Sequence, residues 1–154
     1  MNYRKVQSEF DTFYFDTFTC FRWISLIEII DLYSYICKCF EILKSKKIFN
    51  TGYVIMPNHL HLKVYTQNEL NTINDIIAEM KRFMAYEIVK RLKVAGRNDL
   101  LKFLYDTVNP GERLKGKIHN VFQPSAETKK IFVITDQIPT YCNSLEVKIN
   151  KKSL

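Results

Sequence analysis

At 154 residues the chain has the size of one domain with one core, and 47% apolar beside 25% charged residues excludes a disordered polymer. Lys and Arg number 23 against 16 Asp and Glu, and the net charge of +7 favours a polyanionic partner. Glu28, Asp31 and Lys38 interrupt the longest apolar region, Trp23 to Phe40, which excludes a membrane span there, and Glu9 and Asp11 stand where a secretory signal needs apolar residues. A cytoplasmic location with no membrane partner is therefore expected. Cys20, Cys37, Cys39 and Cys142 form no Cys-x-x-Cys pair, and Cys37 and Cys39 sit too close on one helix for a zinc half-site. Reduced, structural thiols are expected.

The first dozen residues are polar. From Thr12, TFYFDTFTCF is rich in aromatics and threonine and reads as a strand, with Phe13, Phe15 and Cys20 or Phe21 on its apolar positions. Ser25 is placed to cap a helix reaching about Lys46, in which Leu26, Ile29, Ile30, Tyr33, Ile36, Cys37, Phe40 and Leu43 recur at helical spacing. Two strands follow around the turn formers Pro57 and Asn58. Thr72 then caps a second helix, Ile73 to about Leu92, with Ile76, Ile77, Met80, Phe83, Met84, Ile88 and Leu92 inward and Lys81, Arg82, Lys90 and Arg91 on the other side. Gly96 ends it, Asp99 to Thr107 reads as a short amphipathic helix, and Asn109, Pro110, Gly111 and Gly116 mark a loop. Lys117 to Phe122 alternates as a last strand. The order strand, helix, strand, strand, helix, strand predicts an α+β fold: a ferredoxin-like antiparallel sheet with helices packed on one face.

Chemistry concentrates in His59-Leu60-His61-Leu62. Side chains alternate along a strand, so the leucines can face the helices while both imidazoles leave on the open face, spaced to share a cation if a third ligand arrives from elsewhere. On spacing alone the pair reads equally as polar surface. A histidine-triad hydrolase would need a third alternating histidine, and Lys63 stands there; a two-histidine phosphoesterase would need a second His-x-Thr or His-x-Ser, and His119 is followed by Asn120 and Val121.

The surrounding string YVIMPNHLHL, Tyr53 to Leu62, resembles the signature of the single-domain HUH tyrosine transposases, the family of the REP-associated tyrosine transposases and the transposases of small insertion sequences that move as single strands. FYFDTFTCFRW is similar to the family's first strand, EMKRFMAYEI to its basic helix and VFQPS to a downstream string, so the resemblance spans about 13–131 of a single domain, 1–154. It implies single-stranded or hairpin DNA as partner, Mg²⁺ or Mn²⁺ held by His59 and His61, phosphate contacts from Lys81 and Arg82, and a tyrosine that forms a 5′-phosphotyrosine link. Monomer and homodimer both stay open. Measured against the family, a truncated or divergent tail is expected over 132–154: Thr140-Tyr141 replaces Asp-Tyr, the family's Asn-Pro is missing, and Pro139 would disturb a helix interior. Tyr141 is the tyrosine nearest the expected position, and the ligand that completes the family's metal site has only a poor counterpart, Gln137. The resemblance thus implies a DNA-nicking and strand-transfer enzyme or, alternatively, a catalytically impaired, nucleic-acid-binding remnant of the same fold.

Overall fold

The computed structural model describes residues 12–67, 72–124 and 128–131. Residues 1–11, Gln137, Tyr141 and Cys142 lie outside the described residues. Strand β1 is Thr12–Thr19. Its buried side is Tyr14, Asp16 and Phe18, so Phe13 and Phe15 turn to the opposite face. The register explains this: Tyr14, Asp16 and Phe18 lie opposite Val64, Leu62 and Leu60, and directly opposed residues of an antiparallel pair share a face. The neighbouring strand's apolar row sets which side of β1 is core.

The long helix expected from Ser25 to Lys46 is two helices, α1 (Leu26–Ile29) and α2 (Tyr33–Ser45), and Ser25 makes no side-chain cap. Between them Asp31 adopts φ 48, a left-handed conformation that ends a helix. The carbonyls of Ile30 and Asp31, freed by the break, accept from the Arg91 guanidinium. The break also rotates the apolar stripe. Leu26, Ile30, Ile36, Phe40 and Leu43 are buried, whereas Ile29 and Cys37 are exposed.

Strands β2 (Ile48–Ile55) and β3 (His59–Thr66) form a hairpin closed by Met56 N donating to His59 O at 2.8 Å. Helix α3 is Ile73–Val94; Thr72 Oγ1 accepts from Asp75 N, and Gly96 at φ 65 follows its C-terminus. Ile76, Ile77, Met80, Met84, Ile88 and Leu92 are buried as the periodicity predicts, but Phe83 is exposed. Helix α4 is Asn98–Asp106, and the expected loop contains a further turn, α5 (Pro110–Arg113), started by Asn109 Oδ1 accepting from Gly111 N.

Lys117 to Phe122 is not the last strand; it contributes one bridge, Phe122 to Cys20. Asn120 instead fastens this segment to α4, its N donating to Leu104 O and its Nδ2 to Thr107 O. Strand β4 is Lys129–Ile131. The sheet order is β2-β3-β1-β4, antiparallel throughout, which is the ferredoxin-like arrangement. Leu60, Leu62 and Val64 are buried with the inward residues of α2 and α3, leaving the other sheet face to the histidines. Among the described residues no helix is long and apolar enough to cross a membrane.

Candidate metal and nucleic-acid site

His59 and His61 leave β3 on the open face, their ring centroids 4.8 Å apart and their planes at 78°. Thr17, opposite His61 on β1, places Oγ1 2.9 Å from His61 Nδ1. Asn58 Oδ1 lies 2.7 Å from His59 Nδ1. Each ring therefore has its Nδ1 held by an oxygen, and because the Asn58 amide oxygen can only accept, His59 carries its proton on Nδ1 and its lone pair on Nε2. Burial and then the neighbouring His61 pull the pKa of His59 below the ordinary histidine value, favouring its neutral form. Phe15 stacks on His61 at 5.5 Å, and Trp23 meets His59 edge-on at 5.6 Å. Two orientated imidazoles fit two positions of a divalent ion. Among the described residues no further His, Cys, Asp or Glu joins them.

The segment leading to Trp23 is strained. Arg22 and Trp23 both have left-handed backbones, φ 48 and 60, at a cost of roughly 1–2 kcal/mol each for L-residues. Phe21 N donating to Val121 O and Asn58 Nδ2 donating to Trp23 O hold it in place.

The solved structure of a REP-associated tyrosine transposase bound to a REP hairpin superposes on this chain with a TM-score of 0.54 at 13% identity, covering 88% of this chain and 66% of that one. The likeness is one of fold. The chain spans just under two thirds of that protein's length. No family model and no curated protein matches the sequence.

The basic residues expected to meet DNA lie on the other side of the sheet. Lys81 points inward: its Nζ is 3.7 Å from Asp16 Oδ1 and 4.6 Å from the centroid of Phe18, with side-chain exposures of 16% for Lys81 and 2% for Asp16. Asp16 also accepts from Thr17 N and Thr128 Oγ1, yet burial, the largest influence, raises its pKa above the ordinary value. Arg82 is exposed. Both basic residues line a cleft of about 990 Å³ between α3 and the segment 115–122, in which every charged lining residue is basic and Tyr86 and Ile118 are exposed. Lys90 pairs with Glu87 and Lys117 with Glu112, while Lys93 and Lys115 form no ion pair with a described residue. Arg91, taken from the sequence as a surface cation, is the clamp on the α1–α2 break.

His119 is apart from the pair, half-buried against Tyr105 at 6.2 Å. Sequence reasoning missed Thr17, Trp23 and Asp16 and took Asn58 only as a turn former. A charged residue amid the aromatics of β1 was the visible sign of Asp16; Thr17 is found only through the β1–β3 register.

Proposed function

We propose that this chain nicks and transfers single-stranded DNA as a metal-dependent enzyme of the HUH tyrosine transposase kind, with hairpin DNA as partner, His59 and His61 as metal ligands and Tyr141 as nucleophile. The observation that carries this reading is the imidazole pair on the open sheet face, ring centroids 4.8 Å apart, with each Nδ1 held by an oxygen. The fold shared with a hairpin-bound transposase supports DNA as the partner, and so does the basic cleft beside Arg82 and Lys81.

Bound Mg²⁺ or Mn²⁺ would supply Lewis-acid polarisation of the scissile phosphate. Thr17 orients the His61 ring, and Asn58 orients His59 and keeps it in the Nε2-ligating tautomer before substrate arrives. The Tyr141 oxygen attacks phosphorus as its proton leaves, the bond to the 3′ oxygen breaks, and that oxygen gains a proton, giving a 5′-phosphotyrosine and a free 3′-hydroxyl. A phenol of ordinary pKa, about 10, depends on close placement for this step.

Incubation with a hairpin oligonucleotide carrying a single-stranded flank, in Mn²⁺, tests the proposal on a denaturing gel. The expected result is a covalent protein–DNA adduct that disappears in Tyr141→Phe, in His59→Ala and with chelator. An adduct that survives Tyr141→Phe overturns the nucleophile, and DNA binding with no adduct identifies the catalytically impaired, binding-only protein.

A further inference from the structure

The geometry points to Trp23 as a base-stacking platform for the DNA strand at the histidine site, an inference that rests on the proposed function and assigns it a substrate contact. Trp23 is the sole tryptophan of the chain, it is 58% exposed, and its ring lies 5.6 Å from that of His59. An indole left this open on a domain with a full core is not serving packing. Its backbone is also held where L-residues seldom go, consecutively with Arg22, and such strain persists only where neighbours over-determine it.

Those neighbours are the site itself. Asn58 accepts at its main-chain O from Cys20 N, donates from Nδ2 to Trp23 O at 3.2 Å and sets Oδ1 against His59 Nδ1. One side chain thus fixes both the indole's backbone and the imidazole's tautomer, so the aromatic platform and the ligating nitrogen are registered to each other. Arg22, the other strained residue, is drawn aside, its guanidinium 5.8 Å from the rings of Phe21 and Phe103. The indole stands beside His59 with its surface available, as a flat apolar partner needs. In a chain of net charge +7, a nucleobase on a phosphate backbone meets both requirements, the base on the ring and the phosphate toward the imidazoles. Every base has a π-face, so this contact fixes position and carries little sequence preference.

Because Trp23 is the sole tryptophan, its emission reports this contact alone. An oligonucleotide with a hairpin and a single-stranded flank is titrated in without metal, and binding is followed in parallel by anisotropy of a dye on the DNA. Saturable quenching of Trp23 in step with anisotropy is expected, as is quenching of 2-aminopurine placed beside the cut. Trp23→Ala should bind about 5- to 150-fold more weakly, the loss of one base–aromatic stack. Trp23→Phe should recover most of that loss, and Mn²⁺ binding to Trp23→Ala, read by electron paramagnetic resonance, should be unchanged. Tight binding with unchanged Trp23 emission and equal affinity in Trp23→Ala overturns the platform and leaves the proposed function standing. Loss of Mn²⁺ affinity in Trp23→Ala makes the ring a support for His59 and overturns the platform as well. Absence of oligonucleotide binding in every variant overturns both readings together.

Discussion

The ammonium of Lys81 sits 3.7 Å from the carboxylate of Asp16, and α3 and the sheet cover both. Removing one partner of a shielded ion pair leaves the other charge without compensation, so Lys81→Met should cost about 3 kcal/mol in chemical denaturation. Its pH dependence identifies the cause. Burial raises the folded-state pKa of Asp16, so between the ordinary carboxylate value and that raised value the folded chain holds a proton that the unfolded chain has released, and stability falls as pH rises through this window. Lys81 counters the rise, and the Lys81→Met deficit should therefore be greatest at neutral pH and shrink on acidification. A deficit independent of pH would assign the loss to packing against Phe18.

The histidine face should tolerate substitution. His59→Ala and His61→Ala leave the buried Leu60 and Leu62 row untouched, so stability should stay within about 0.5 kcal/mol while Mn²⁺ affinity is lost. Thr17→Val and Asn58→Ala should each weaken Mn²⁺ binding by about 10- to 100-fold without removing a ligand. Titration calorimetry beside a denaturation curve separates the two effects.

Arg91 closes the break between α1 and α2 and should be worth more than a surface cation. Arg91→Ala removes charge-assisted bonds to two carbonyls and to Glu87, for a loss of about 1.5–3 kcal/mol. Hydrogen exchange should locate the loosening at the junction of the two helices.

Salt dependence tests the cleft. Arg82, Lys93 and Lys115 are exposed, so replacing all three with alanine should leave the fold intact while the slope of log affinity against log salt falls by up to about 2, near 0.7 for each lost contact with a single strand. An unchanged slope would place the phosphates elsewhere on the molecule.

Alternation and helical periodicity made much of this architecture legible. The His59–Leu62 string has a period of two and lies in β3 with its leucines buried, and the Thr72 start and Gly96 stop of α3 are local signals the chain obeys. What failed to show depends on distant partners. Lys129–Ile131 has no pattern of its own and is a strand because Phe13 to Phe15 offer an edge, while the better alternating Lys117–Phe122 is claimed by α4 through Asn120. Asp31 carries no Gly or Pro to announce a break, and the arginine that satisfies its carbonyl lies on α3. At the site, the histidines were legible and their orientation was not, since Thr17 and Trp23 reach them from another strand and another turn.

The antiparallel pairing of β4 sets a constraint on the length of chain between the sheet and Tyr141. Lys129 lies opposite Phe15 and Ile131 opposite Phe13, whereas His61 lies opposite Thr17, so β4 runs away from the histidines and Ile131 is roughly 13 Å down the strand axis from His61. Under the proposed function, a tyrosine that follows β4 and serves the histidines of its own chain has at least that distance to recover. Tyr141 follows Ile131 by ten residues, which span at most roughly 35 Å when fully extended and so exceed that distance. If Tyr141 is the nucleophile as proposed, insertions between the two should be tolerated, whereas removing five residues, which leaves at most roughly 17 Å, should abolish the covalent adduct without altering a residue of the site.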